Sequence, residues 1–265
     1  MPLPLPPATA LVPRLRAAGC VFAEEEAGLL LGSATGPQHL ESLLSRRIAG
    51  EPLETVLGWA GFAGLRVAVA PGVFVPRRRT ELLVEEAVRL LRGTPRAVVV
   101  DLCCGSGAVG LAVATALAGV QLHAADLDPA AVGCARRNLA AVGGRVHRGD
   151  LYAALPAGLL GRVDLLAVNA PYVPTAAIAD MPPEARDHEP RAALDGGPDG
   201  VAVHRQVAAG ARRWLAPGGR LLLETSEDQT PLTLAAVEAG GLAAAAVRDE
   251  DRDATVVVGT PPGVA

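Results

Sequence analysis

Asn169-Ala170-Pro171-Tyr172 follows directly on the apolar run Val163-Asp164-Leu165-Leu166-Ala167-Val168, downstream of a glycine-bearing turn, Asp101-Leu102-Cys103-Cys104-Gly105-Ser106-Gly107. A strand ending in Asn, then a rigid Pro and an aromatic ring, sets an amide oxygen, a fixed backbone carbonyl and a flat apolar surface at one tip. Those groups suit a planar NH2 group. An amide nitrogen is a poor nucleophile because its lone pair is delocalised, so catalysis must orient it and accept from its N–H bonds. Asn169 Oδ1 and the Ala170 carbonyl are the candidate acceptors, with Tyr172 bounding the planar group from one face. The chemistry indicated is methyl transfer to a planar nitrogen. Taken alone, the stretch also fits a strand-ending turn, which Asn and Pro both favour.

The other candidates fall at the ends of neighbouring apolar runs. Gly105 and Gly107, with Asp101, Cys103 and Ser106 beside them, let the backbone pass close to a cofactor at the start of the next helix. Their spacing is not the G-x-G-x-x-G of dinucleotide dehydrogenases. Asp126 can accept two hydrogen bonds from a ribose diol, whereas Asp128-Pro129 reads as a helix cap with Pro at the first helical position. Asp150 can take an exocyclic adenine amino group while Leu151 packs on the ring, with a plain turn aspartate as the rival reading. His39, His123, His147, His188 and His204 are scattered and read as surface or packing residues. Cys20, Cys103, Cys104 and Cys134 lack C-x-x-C spacing, so no zinc site or disulfide framework is expected and all four read as small core residues. The chain contains no lysine, which excludes Schiff-base and P-loop lysine chemistry.

These residues need a scaffold. Residues 8–48 show helical apolar spacing, and residues 50–78 read as a connector with hairpin-like alternation over Gly61 to Val69. Thr80 is expected to cap a helix that buries Leu82, Leu83, Ala87, Leu90 and Leu91. Beyond Arg96, apolar runs alternate with helical stretches, the pattern of a parallel sheet covered on both faces. Leu242 to Val247 and Ala254 to Val258 are separated only by Arg248 to Asp253, too short for a crossover, and so are expected to pair antiparallel. No run of ~18 apolar residues crosses a bilayer. Met1-Pro2-Leu3-Pro4-Leu5-Pro6-Pro7 lacks the basic start of a secretory signal, so a cytoplasmic protein is expected. A net charge of −4 offers nucleic acid no general attraction beyond a patch such as Arg77-Arg78-Arg79.

With these features the chain resembles the protein-(glutamine-N5) methyltransferases of the HemK/PrmC type. The resemblance runs from about Arg47 onward. It rests on Gly50-Glu51-Pro52-Leu53, Pro76 to Val84, the glycine turn, Asp126, Asn138, Gly149-Asp150, Asn169 to Tyr172, the long string Glu189 to Gly200, Pro217-Gly218-Gly219, and Glu224 with Gln229. It implies a class I S-adenosylmethionine (AdoMet) methyltransferase fold, Rossmann-like, with a mainly parallel sheet ending in an antiparallel hairpin. By resemblance, residues 1–49 form a small helical substrate-docking region, 50–78 a connector and 79–265 the catalytic domain. AdoMet would be held by Asp101, Cys103, Gly105, Ser106, Gly107, Asp126, Asp150, Leu151 and Asn169, and a glutamine of a release factor or ribosomal protein by Asn169, Ala170, Pro171 and Tyr172. Two other functions fit the same features, amino-methylation of adenine or cytosine in nucleic acid and a non-catalytic binding role. Three departures mark this chain. Ala170 replaces the first proline of the usual Asn-Pro-Pro-Tyr, a loss of about 0.4 to 1 kcal/mol of preorganisation. Cys103 stands where glycine is usual, and the N-terminal helical region is shorter than in release-factor enzymes.

Overall fold

The structure is a computed structural model that describes residues 5–263; Met1 to Pro4 of the proline-rich start lie outside the described residues. Four helices open the chain: α1 (Ala8–Ala17), α2 (Ala23–Ser33), α3 (Pro37–Ile48) and the short α4 (Leu53–Leu57). They bury a cluster of their own, in which Leu11, Leu15, Leu30, Leu40, Leu44 and Val56 meet. Arg47 is locked to Glu26 at 2.6 Å inside this bundle and also reaches Glu184 at 3.5 Å. A hairpin follows, β1 (Trp59–Phe62) paired antiparallel with β2 (Leu65–Ala68).

The remainder is a layered α/β domain. Its elements are α5 (Glu81–Leu91), β3 (Val98–Leu102), α6 (Ala108–Ala116), β4 (Gln121–Asp126), α7 (Pro129–Leu139), β5 (Arg145–Arg148) and β6 (Val163–Val168), then α8 (Pro183–His188), α9 (Arg191–Leu194), α10 (Ala202–Trp214), β7 (Leu215–Thr225), α11 (Thr230–Ala239), β8 (Ala243–Asp249) and β9 (Ala254–Thr260). The strands form one seven-stranded sheet in the order β5-β4-β3-β6-β7-β9-β8. Pairings from β5 through β7 are parallel, and β9 joins β7 and β8 antiparallel as the short charged connection requires. Strand neighbours divide cleanly between two cores. Val99, Leu165, Ala167 and Leu222 face one cluster, while Val98, Val100, Leu166, Val168, Leu221 and Leu223 face the other. Burial on both faces is why these strands show no polar alternation.

Three local details shape the site. Thr80 closes a short 3₁₀ turn in helical conformation, and its side chain makes no capping bond to α5. β7 begins at Leu215, which pairs with Val163 ahead of a shift in register, and Gly219 lies so close to Val163 that a Cβ there would stand 2.5 Å from its carbonyl oxygen. The third parallel strand ends at Arg148, two residues short of Asp150.

Asn138, on α7, ties the hairpin to the domain. Its Oδ1 accepts from the Ala68 amide at 2.9 Å, and its Nδ2 donates to the Ala68 and Ser106 carbonyls, each at 2.8 Å. One side chain thus links β2, α7 and the glycine turn. Replacing Asn138 by Ala removes three hydrogen bonds to part-buried backbone and is expected to cost about 2 to 4 kcal/mol, measured by urea denaturation.

Candidate active site

In an open α/β sheet, ligands bind beyond the carboxyl ends of the strands where strand order reverses. Here the chain runs from β3 outward to β4 and β5, then returns to the other side of β3 with β6, so the reversal falls between β3 and β6. A cavity of about 1080 Å³ opens there. It reaches the upper end of the range for small-ligand pockets, ~300–1,000 Å³, enough for a cofactor and an entering side chain together.

Register explains which residues meet. Leu102 pairs with Ala125 on one side and Val168 on the other, so Cys103, Asp126 and Asn169 leave three adjacent strands at one level. Asp101, Cys103, Gly105, Ser106, Asp126, Asp150 and Leu151 line the cavity, and so do Asn169, Ala170, Pro171 and Tyr172. Gly107 does not line it. It is buried against α7, where an added Cβ would meet Ala135 at 3.2 Å, so its role is helix packing at φ +77°. Phe74, Leu127 and Glu189 also line the cavity without having been singled out by residue chemistry, as do Arg77 and Arg79, read from sequence only as a basic patch, and Thr80, read only as a cap.

The carboxylates are unequal. Asp101 is buried, accepts from the Gly110 amide at 2.9 Å, and is pushed up to about 8 by burial, a rise the Gly110 bond opposes and the nearby Asp126 charge reinforces. Asp126 accepts from the Gly105 amide at 2.8 Å and the Asp128 amide at 2.9 Å, and burial raises its pKa too. Each oxygen keeps a lone pair for a further donor. Asp128 instead caps α7, accepting from Ala130 and Ala131 as expected. Asp150 stands exposed on the cavity wall.

Across the cavity, Asn169 Nδ2 donates to Thr80 Oγ1 at 3.2 Å, which leaves Asn169 Oδ1 as the free end of the amide. The Tyr172 hydroxyl donates to Glu224 Oε1 at 3.2 Å, and burial raises the tyrosine's pKa. Gln229 Nε2 donates to the Tyr172 carbonyl at 2.5 Å, fixing the backbone behind the ring. Arg77 pairs with buried Glu189 at 2.5 Å, and Glu189 also accepts from the Val75 amide. The pair pins the Phe74 segment to the start of the Glu189 to Gly200 string.

Cys20, Cys104 and Cys134 are buried as expected, but Cys103 is only partly so because it lines the cavity. The histidines are not all scattered. His123 and His147 stack on adjacent strands with rings 5.2 Å apart and ring nitrogens 2.9 Å apart, away from the cavity. Burial lowers the pKa of His123 to about 4. Among the described residues no cluster of three or more His, Cys, Asp or Glu could hold a metal ion, and no helix is long and apolar enough to cross a membrane.

Residues 64–181 match the family model described as the methyltransferase small domain. The release factor glutamine methyltransferase of Gloeobacter violaceus is 43% identical over 208 residues, 74% of this chain and 72% of the relative. Its counterpart from Mycolicibacterium smegmatis is 42% identical over 201 residues, 75% of this chain and 69% of the relative. The chain belongs to the release factor glutamine methyltransferase family. A differently named relative, the 4-amino-L-phenylalanine/4-methylamino-L-phenylalanine methyltransferase of Streptomyces pristinaespiralis, is 38% identical over 73% of this chain and 67% of its own length.

The fold is that of the class I AdoMet methyltransferases, and AdoMet is the cofactor of the family. The cavity fits it on three observations. A Cβ built on Gly105 would point into open space, so the backbone there is bare toward the cavity. Leu127 is 64% exposed at the cavity edge, an apolar face left available to a flat base. Acidic groups at the ends of β3 and β4 complement the hydroxyls and ammonium of such a molecule.

The raised Asp101 pKa fixes the sign of a pH effect. Below about pH 4 both folded and unfolded chains hold the proton; between 4 and 8 only the folded chain does, so this group's contribution to stability falls as pH rises and is lost above 8. Without AdoMet, stability of the wild type relative to Asp101→Asn, from urea denaturation, is expected to decline between pH 4 and 8 and then level off.

Proposed function

We propose that this chain transfers the methyl group of AdoMet to the side-chain amide nitrogen (N5) of a glutamine in a peptide chain release factor, in the cytoplasm. The observation that carries the reading is one cavity shared by the Asn169 to Tyr172 tip and the cofactor-side residues Asp101, Gly105 and Asp126. Bound AdoMet supplies an electrophilic methyl on a positively charged sulfur.

The chain's own residues act on the amide. Asn169 Oδ1 accepts one N–H and the Ala170 carbonyl the other, which turns the nitrogen's π face toward the cofactor side and stabilises positive charge as the new bond forms. The electron pair of the methyl–sulfur bond stays on sulfur, and one of those protons is released to solvent, which leaves a neutral N-methylamide. Tyr172 and Pro171 bound the amide plane, and Ala170, 1% exposed, closes the wall between Asn169 and Pro171. Cys103, the partly buried neighbour of the glycine turn, narrows the cofactor side without displacing Gly105.

Residues 1–49 serve as the docking region for the protein substrate, 50–78 as the connector and 79–265 as the catalytic domain. In the docking region Val21 and Phe22 are 81% and 66% exposed at the turn before α2, an apolar tip suited to a protein partner. Nucleic acid is disfavoured by the acidic balance of the chain. A free aryl amine is the second reading, favoured by the Streptomyces pristinaespiralis relative.

The deciding experiment is transfer of labelled methyl from AdoMet to purified release factors, a ribosomal protein, DNA and 4-amino-L-phenylalanine, with wild type and Asn169→Ala side by side. Label on a release-factor glutamine is expected, and Asn169→Ala is expected to lower kcat about 10²- to 10³-fold by removing one preorganised acceptor. Label confined to the free amino acid, or an undiminished Asn169→Ala enzyme, overturns the reading.

A further inference from the structure

Thr80 is 3% exposed and ends the turn before α5, where its hydroxyl is free of the capping role its position suggests. That hydroxyl instead crosses to β6 and accepts from Asn169 Nδ2 at 3.2 Å. Behind it lies Glu224 on β7, 2% exposed, brought beside Asn169 because Val168 and Leu223 pair in register. The Glu224 carboxylate accepts from the Tyr172 hydroxyl through Oε1, and among the described residues no donor is bonded to its Oε2. That Oε2 is buried, close to a Thr80 hydroxyl whose own proton has no acceptor among the hydrogen bonds formed, so a buried acceptor and an unspent donor stand side by side. Burial pushes its pKa up, and the two hydroxyls together with the Arg79 charge oppose that rise.

An asparagine amide has two ends of nearly equal shape and opposite hydrogen-bonding sense. A half-turn about its last bond would present the cavity with two donors in place of an acceptor, and a target NH2 group would find nothing to receive its protons. A threonine hydroxyl alone does not choose between the ends, because it can donate to Oδ1 or accept from Nδ2. A carboxylate beside it does choose. An ionised carboxylate accepts only, so a threonine hydroxyl that donates to it keeps its lone pairs for Asn169.

We propose that Thr80 and Glu224 are positioning residues for Asn169: Glu224 orients the Thr80 hydroxyl, and Thr80 holds Asn169 Nδ2 so that Oδ1 faces the target NH2. The consequence for catalysis rests on the amide-methylation reading above, whereas the positioning itself does not. Glu224 also holds the Tyr172 hydroxyl, so one carboxylate fixes both the acceptor and the ring beside it.

The chain contains two asparagines, Asn138 and Asn169, so ¹⁵N-asparagine labelling yields two side-chain NH2 groups, assigned by loss of one in Asn169→Asp. In Thr80→Val the Asn169 NH2 protons are expected to exchange with water at least about tenfold faster, as loss of one hydrogen bond implies, while those of Asn138 stay unchanged. Thr80→Ser is expected to keep the wild-type exchange, and Glu224→Gln, which can donate to Thr80, is expected to behave like Thr80→Val. With a confirmed acceptor, Thr80→Val and Glu224→Gln are expected to lower kcat about tenfold or more with KM and AdoMet binding within about twofold, and Thr80→Ser to restore it. Unchanged Asn169 exchange in Thr80→Val and Glu224→Gln overturns the proposal, as does an equal kcat loss in Thr80→Ser. If wild type methylates no acceptor, the function reading fails and the exchange data still decide the positioning. If Thr80→Val does not fold, judged by the Asn138 signals, the contrast between Glu224→Gln and Thr80→Ser decides it.

Discussion

Parallel register across β4, β3, β6 and β7 is the constraint on which the rest of this molecule depends. Ala125, Leu102, Val168 and Leu223 lie in one row of pairings, so the residues that follow them emerge together at one edge of the sheet. That edge is where Asp126, Cys103, Asn169 and Glu224 meet, although 98 residues of numbering separate 126 from 224. A one-residue slip in any pair would reverse which side chains face which core, so the two apolar clusters on either face lock the register and, through it, the cavity.

Concentrating acidic groups at a buried edge carries a cost that the surrounding structure offsets locally. Asp101 and Asp126 have raised pKa values because burial disfavours their charge; the Gly110 amide in the first turn of α6 opposes that for Asp101, and the Gly105 and Asp128 amides for Asp126. Glu189 is compensated at Oε1 by Arg77 and the Val75 amide, and Glu224 at Oε1 by the Tyr172 hydroxyl, while among the described residues Oε2 of each is buried without a partner. Each compensating group belongs to a different segment, so the same bonds that offset burial also assemble the cavity wall. Electrostatic necessity and site geometry are one arrangement here.

The sheet was legible because both its faces are buried: runs such as Val98 to Leu102 and Val163 to Val168 are apolar except for one aspartate each, Asp101 and Asp164, and lie between turn signals. The strand-end candidates followed from that, since their meeting needs only parallel order and short turns. Thr80 was misread, because a threonine before a helix is a cap by local rules and nothing nearby reveals a partner 89 positions away. The Glu189 to Gly200 string was legible only as a resemblance. Its physical reason is contact: a Cβ on Gly196 would lie 2.3 Å from the Gly200 carbonyl oxygen, and one on Gly200 would lie 2.4 Å from the Tyr172 carbonyl oxygen, so the string folds against the Asn169 to Tyr172 tip with no room for a side chain at either glycine. Close approach of two backbones leaves no mark in periodicity.

The departures from the usual family pattern then acquire distinct meanings. Ala170 is 1% exposed, so the wall it forms remains closed and what it loses relative to proline is rigidity alone. Cys103 differs in kind, because it adopts φ +55° without being glycine, and Leu151 does the same at φ +41°. Both line the cavity. Left-handed backbone at a non-glycine residue costs about 1 to 2 kcal/mol, and such strain persists only where neighbouring structure over-determines it. For Cys103 that structure is the adjoining turn, where the Cys104 amide is bonded to the Ala125 carbonyl at 3.1 Å and Gly105 to Asp126. The turn is therefore held by its neighbours rather than by glycine's freedom at position 103, which is how the chain tolerates a side chain there while keeping Gly105 bare toward the cofactor side.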